Sequence, residues 1–357
     1  MNALLGVIFH SIGGFASGSF YMPYNKVKGW AWESYWIIGG LFSWLIVPPI
    51  AAYLTVPGFA AIIGDASVTV LSITFIMGLL WGIGGLTYGL GVRYLGMSLG
   101  NSVTLGFCAA FGAIVPSIYY SINPTPGKVS FTDMMGTPGG QLVLLGVLVC
   151  LIGIALSGKA GMMKEQEISA EESKKSVAEF SLVKGLIIAV ISGILSSFFN
   201  FGIEAGKPMA IVANEAWKAI NPGQGEFLFQ NNVIFVVILW GGLTTNLIWT
   251  TILSLKNKSY GDFTNSSSPI AKNVMFSALA GTTWFMQFFF YGMGESKLGN
   301  GASSWILHMS TIILTANMWG IYRKEWAGVS PKTKGTIIAG ISVIILSVFL
   351  VGIGNSM

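Results

Sequence analysis

Apolar residues run through this chain in long stretches, separated by short segments that hold nearly all of its charge. The stretches show neither the strict alternation of a half-buried strand nor the narrow stripe of a soluble amphipathic helix. A run of about 20 apolar residues matches the hydrocarbon thickness of a bilayer, and in lipid such a run must close its backbone hydrogen bonds within itself as a helix. Ten segments qualify, near residues 3–22, 34–54, 69–91, 97–120, 140–158, 184–204, 231–254, 271–293, 301–322 and 335–354. The predicted fold class is all-α, a polytopic membrane protein with ten transmembrane helices. The first segment lacks a basic leader and runs into Pro23, Lys26 and Lys28, which predicts a retained span and not a cleaved signal.

The longest polar stretch follows the fifth segment and carries Lys164, Glu165, Glu167, Glu171, Glu172, Lys174, Lys175 and Glu179. It predicts a charged cytoplasmic linker, 159–183, between a first five-helix repeat, 1–158, and a second, 184–357. Two ordered self-matches support the duplication. Gly6, Ile8, Gly14, Ser17 and Phe20 recur as Gly185, Ile187, Gly193, Ser196 and Phe199; Gly82 with Leu99, Gly100 and Asn101 recurs as Gly281 with Leu298, Gly299 and Asn300. Because five is odd, the copies must point in opposite directions. That is the inverted-repeat arrangement of secondary transporters, whose substrate site is expected near the midplane between the halves. Of 19 Lys and Arg residues, only Lys128, Lys207, Lys218 and Lys297 fall in connections after even-numbered segments. The excess on the other side marks the cytoplasm, so both termini are expected outside.

Composition narrows the function classes. With 53% apolar residues, 9% charged and a mean hydropathy of +0.70, the chain has too little polar surface for a large soluble enzyme, since ordinary globular domains carry roughly 25% charge. The net charge of +5 does not point to nucleic acid, because the basic residues are scattered among connections and form no stripe. Cys108 and Cys150 lie within apolar runs, where a thiol serves as a small core residue. The 47 glycines concentrate inside the segments and predict close helix contact.

Few polar groups interrupt the segments: His10, Asn101, Asn200, Glu204, Asn246, Gln287, His308 and Asn317. An ionisable group at membrane depth costs about 3 kcal/mol on insertion scales, so each is a functional-site hypothesis by default. His10 and His308 are the candidate proton-coupling residues, because imidazole exchanges a proton near neutrality. A neutral histidine hydrogen-bonded between helices is the competing reading. Neither HExxH nor paired cysteines accompany them, so no metal and no cofactor is expected. Glu204 and Lys207, three apart, predict an interfacial ion pair. Trp30, Trp32 and Glu33 stand at a predicted boundary and read as an interfacial anchor.

Trp81, Trp240, Trp284 and Trp305 lie too deep for that role. A sugar rests its C–H faces on aromatic rings and offers hydroxyls to amides or imidazoles, so tryptophan beside glutamine and histidine suits a carbohydrate. The candidate substrate-binding residues are Trp284, Gln287 and Tyr291, which share a helical face, Trp305, three before His308, and Trp81 with Tyr88, seven apart. In the second self-match Tyr88 is the counterpart of Gln287. Packing accounts for any one of these stripes taken singly, whereas their coincidence on paired segments predicts a pocket. No nucleophile elbow, phosphate-cradling loop or catalytic carboxylate pair occurs, so no enzyme is expected.

The runs FYMPYNKVKGWAWE (20–33), WGIGGLTYGLGVRYLGMSLG (81–100), WFMQFFFYGMG (284–294), SWILHMS (304–310) and KEW (324–326) resemble the L-rhamnose-proton symporters, a bacterial branch of the drug/metabolite transporter superfamily. The resemblance extends along nearly the whole chain. His10, Lys26, Lys28, Trp30, Trp32, Glu33, Trp81, Tyr88, Arg93, Lys207, Trp284, Gln287, Tyr291, Trp305 and His308 fall on matching positions. Asn200 and Glu204 depart from the pattern, which leaves the histidines ahead of Glu204 as shared proton carriers. The resemblance implies uptake of L-rhamnose, or a close 6-deoxy sugar, coupled to proton symport by alternating access across the bacterial inner membrane. Its implied partners are L-rhamnose, a proton and the lipid bilayer, with no nucleic acid and no assigned oligomeric state. The same superfamily fold also hosts exporters of other small metabolites. A cationic-drug exporter would want a midplane carboxylate, and the segments offer none beyond Glu204. A membrane sensor or scaffold would act through the linker, which is about 25 residues of mixed charge and reads as a solvated connector.

Overall fold

The computed structural model describes residues 2–122, 124, 130–167, 180–298 and 301–357, and among these it is all-helical with no strand. In chain order the helices are α1 (Asn2–Ser19), α2 (Tyr21–Tyr24), α3 (Trp32–Gly40), a π-helical turn (Leu41–Ile46), α4 (Val47–Thr55), α5 (Phe59–Gly64), α6 (Val68–Ile122), α7 (Phe131–Gly136) and α8 (Pro138–Glu167). There follow α9 (Leu182–Ser196), α10 (Phe198–Ile220), α11 (Asn232–Asn257), a 3₁₀ turn (Ser259–Phe263), α12 (Ile270–Leu298), α13 (Gly301–Tyr322) and α14 (Pro331–Ser356). Among the described residues seven stretches are long and apolar enough to cross a membrane: Leu4–Tyr24, Trp32–Thr55, Val68–Gly96, Pro138–Lys164, Leu182–Ile220, Asn232–Asn257 and Pro331–Gly354.

The exterior is largely apolar, unlike that of a water-soluble protein, and polar side chains share the interior with the apolar core. Leu4, Phe15, Ile50, Leu54, Ile76, Ile211, Ile248, Leu346 and Phe349 face outward, while His10, Ser34, Thr74, Asn246, Asn273, Gln287, Glu295 and His308 are buried. Water would penalise so large an apolar exterior and lipid does not. The chain is a multi-pass membrane protein.

Among the boundaries that differ from the sequence expectation, including the sixth segment, which continues to Ile220 and not 204, three show how the chain is built. The third and fourth segments form one long helix, α6, broken at Gly96, where φ is +86°. Lacking a Cβ, glycine adopts that left-handed backbone without strain, so the chain turns at one residue and needs no separate loop. Second, α8 continues to Glu167, past the expected start of the linker at 159. Third, the second segment is continuous only through the π turn, which precedes Pro48 and Pro49. Those prolines donate no backbone hydrogen bond and crowd the carbonyls one turn earlier, and a widened turn absorbs both effects. Gly299 and Asn300 of the self-match, and linker residues 168–179, lie outside the described residues.

The described chain divides into two compact units, each drawing on both sequence halves. Unit one comprises Met1–Ile83 with Phe198–Lys297, and unit two Gly84–Ser197 with Leu298–Met357. A unit compact in space and a repeat along the sequence are different divisions of the chain.

Unit one is built around α11, whose residues Val233 to Leu239 are all buried. Its backbone meets α6 directly. A methyl at Gly78 would collide with the Ile238 carbonyl oxygen, and one at Gly241 with that of Phe75. Asn246 fixes the same contact, donating to the carbonyls of Gly242 (2.9 Å) and Gly82 (3.3 Å) and accepting from the Trp36 indole (2.8 Å). At one end Glu33 accepts hydrogen bonds from Asn257 (2.9 Å) and Ser259 (2.6 Å), and Asp262 accepts from Ser34 (2.7 Å). Glu33 is buried in this lacing and ties the two elements together, while Trp30 is buried edge-on to Phe263, ring centroids 5.2 Å apart.

In unit two α8 packs along α14 through facing small residues, Gly139 against Gly354 and Gly153 against Gly340. Beyond the apolar part of α8, Glu167 accepts from the Thr333 hydroxyl (2.6 Å) and from the backbone N–H (2.6 Å) and hydroxyl (2.8 Å) of Ser330. These bonds hold its carboxyl below the usual carboxylate range and join the end of α8 to the capped start of α14. Cys108 and Cys150 are both buried free thiols.

Candidate functional site

In unit one the helical period of α12 places Trp284, Gln287, Phe288, Tyr291 and Glu295 along one stripe. Trp81 of α6 stacks on Trp284, with 5.5 Å between ring centroids and 12° between planes. Around that stack, Trp44 meets Trp284 edge-on at 5.4 Å, Phe288 meets it edge-on at 5.5 Å, and Phe20 lies at 5.7 Å. The π turn carries Trp44 and so sets its approach to α12. Two donors here are buried without a hydrogen-bond partner, the Gln287 side-chain amide and the Trp44 indole. A buried donor left unpaired costs about 1–3 kcal/mol, so a polar ligand that accepted from it would recover that cost. Aromatic faces beside an unpaired amide are the chemistry a sugar requires.

One turn further along α12, Tyr291 and His10 are buried against each other, ring centroids 5.3 Å apart and steeply inclined. Gly294 makes room for the imidazole, because a methyl there would lie 2.5 Å from His10 Nε2. Beyond it, Glu295 forms an ion pair with Lys207 of α10 (2.6 Å) and accepts from Asn231, the residue preceding α11 (2.6 Å). Lys207 thus pairs with a residue 88 positions away in sequence.

Unit two holds the remaining predicted residues. Trp305 and His308 are buried on α13, with Trp305 against Gly112 of α6. Tyr88 donates to the side-chain oxygen of Asn101. Asn317 bonds Ser98 and donates to Ser102 (3.0 Å), and the buried Glu325 accepts from the Ser98 backbone N–H (3.0 Å). Lys164, expected in a solvated linker, is buried, its ammonium 5.2 Å from the centre of the Phe180 ring and 5.1 Å from that of Trp326.

The structure therefore brings together Trp81 with Trp284, and His10 with Tyr291, inside unit one. It places Tyr88, Trp305 and His308 in unit two, and it turns Trp240 outward with 37% of its surface exposed. Trp44 and Glu295 were missed by sequence reading. Glu295 stands four residues after Tyr291, a spacing that would have put it on the same face had the segment not been ended at 293. No group of three or more His, Cys, Asp or Glu side chains placed to hold a metal occurs among the described residues.

The family model described as L-rhamnose-proton symport protein (RhaT) matches residues 1–357. Proteins named L-rhamnose-proton symporter from Yersinia pestis (strain Pestoides F) and Yersinia pseudotuberculosis serotype O:1b (strain IP 31758) are each 38% identical to this chain over 356 residues, covering 98% of either sequence.

Proposed function

The chain belongs to the L-rhamnose-proton symport family, and from that membership we propose that it takes up L-rhamnose together with protons across the bacterial inner membrane by alternating access. It is a transporter and not an enzyme. A neutral sugar gains nothing from the membrane potential, whereas each co-transported proton contributes about 2.3 kcal/mol per 100 mV, enough to drive uphill accumulation. Coupling requires that protonation and sugar binding favour the same conformation, since a ligand bound equally well by both states shifts nothing.

The observation that carries the sugar site is the unpaired Gln287 amide on the same face of α12 as the stacked Trp284. In this reading Trp81 and Trp284 support the apolar face of the sugar and Gln287 binds a hydroxyl. Tyr291 extends this stripe and His10 beside it is a proton-coupling candidate; in unit two Tyr88 and Trp305 are the sugar-binding candidates and His308 the proton-coupling one. The ten-span reading joins the seven long apolar stretches to the second arm of α6, α12 and α13, arranged as two inverted five-helix repeats with both termini outside.

Transport in proteoliposomes under an imposed pH gradient, with a panel of sugars and with sodium present or absent, tests the proposal. Accumulation should follow the pH gradient, prefer L-rhamnose and ignore sodium. His10→Gln and His308→Gln should abolish uphill accumulation while downhill exchange continues; unchanged accumulation in both variants removes the histidines from the mechanism.

A further inference from the structure

Unit one contains a buried carboxylate that neither the histidine reading nor the sugar site uses. Glu295 is 6% exposed and engages two other helical elements, Lys207 of α10 and Asn231 at the start of α11. Lys207 is 35% exposed along its side chain, so it can take up water if the pair opens, whereas the carboxylate cannot. Burying a charge is costly unless it stays paired, and a carboxyl that takes up a proton escapes that cost altogether. The pair therefore has two self-consistent states: a carboxylate held by Lys207 and Asn231, and a neutral acid beside a hydrated ammonium.

The surroundings link this pair to the imidazole. Tyr291, one turn back on α12, is buried against His10 and lies within electrostatic reach of both Glu295 and Glu204. The titratable groups around Glu295 are thus its partner Lys207 from α10, Tyr291 from α12 itself and, across Tyr291, His10 from α1, with Glu204 of α10 acting on the same tyrosine. From the start of α11 comes the neutral Asn231.

We propose that Glu295 is a protonation site of the transport cycle, with Lys207 as the counter-ion that holds it when deprotonated. A proton from water binds the carboxylate, the bond to Lys207 Nζ opens, and α10 is released from α12; loss of the proton restores the pair. No covalent bond changes other than the O–H bond made and broken. This inference rests on the proton-symport reading above.

The test uses the full-length protein in proteoliposomes with L-rhamnose as the probe. Readouts are accumulation under a pH gradient of one unit and sugar counterflow at equal pH across a range of pH values. One proton per sugar gives about tenfold accumulation for each pH unit. Glu295→Gln should accumulate no sugar above equilibrium and should lose the pH dependence of counterflow, while Glu295→Asp restores both. Wild-type accumulation by Glu295→Gln would overturn the proposal. Should that variant fail to reconstitute, the double variant Glu295→Gln, Lys207→Gln leaves no charge unpaired and is read in the same way. Absence of proton-driven accumulation in the wild type itself would instead overturn the symport reading.

Discussion

Replacing Gly294 with alanine probes the contact on which the position of His10 depends. The added methyl would lie 2.5, 2.7 and 2.8 Å from Nε2, Cδ2 and Cε1 of the imidazole. Favourable contact between such atoms begins near about 3.5 Å, so the ring or the helix must yield by about 1 Å. His10 is fully buried and already rests on Tyr291, which leaves it nowhere to go. Overpacking of this kind costs about 1–3 kcal/mol, while alanine in place of a helical glycine returns about 1 kcal/mol. Gly294→Ala should therefore destabilise the protein by up to about 2 kcal/mol. With His10→Ala already present the clash disappears and the same change should stabilise by about 1 kcal/mol. Denaturation of the four proteins in mixed micelles gives the coupling energy, expected at about 1–3 kcal/mol. Equal shifts from Gly294→Ala in both backgrounds would refute the contact.

Trp284→Leu keeps an apolar side chain but removes the ring, and should raise the KM for L-rhamnose about 2–10-fold, measured by counterflow. Gln287→Leu should separate stability from function. Removing the unpaired buried amide stabilises the fold by about 1 kcal/mol, and losing its bond to the sugar raises KM about 2–10-fold. A lowered KM would refute the assignment. Glu167 supplies a pH prediction: its folded-state value is depressed, so its bonds to Thr333 and Ser330 stabilise above the ordinary carboxylate range and are lost as pH falls through the lowered value. The stability difference between wild type and Glu167→Gln should vanish in acid, as followed by thermal unfolding against pH.

The helical class and most spans were legible because hydropathy is a local signal that each run carries by itself. The Trp81–Trp284 pairing was suggested by residue type and by periodicity along separate helices. What escaped depends on contacts between distant positions. Nothing near Lys207 in sequence identifies Glu295 as its partner. Likewise the turn at Gly96 replaces the connection expected between the segments ending at 91 and starting at 97, because one permissive residue suffices. Lys164 read as solvated because its neighbours in sequence are charged, yet Phe180 and Trp326 flank its ammonium.

Entry of sugar and proton together is the claim on which the rest depends. Recording external pH while L-rhamnose is added to lightly buffered, de-energised cells expressing the protein tests it most directly. The expected result is an alkalinisation of the medium that requires L-rhamnose, persists without sodium and is abolished by a protonophore. Entry of labelled L-rhamnose through this protein with no movement of external pH would contradict it.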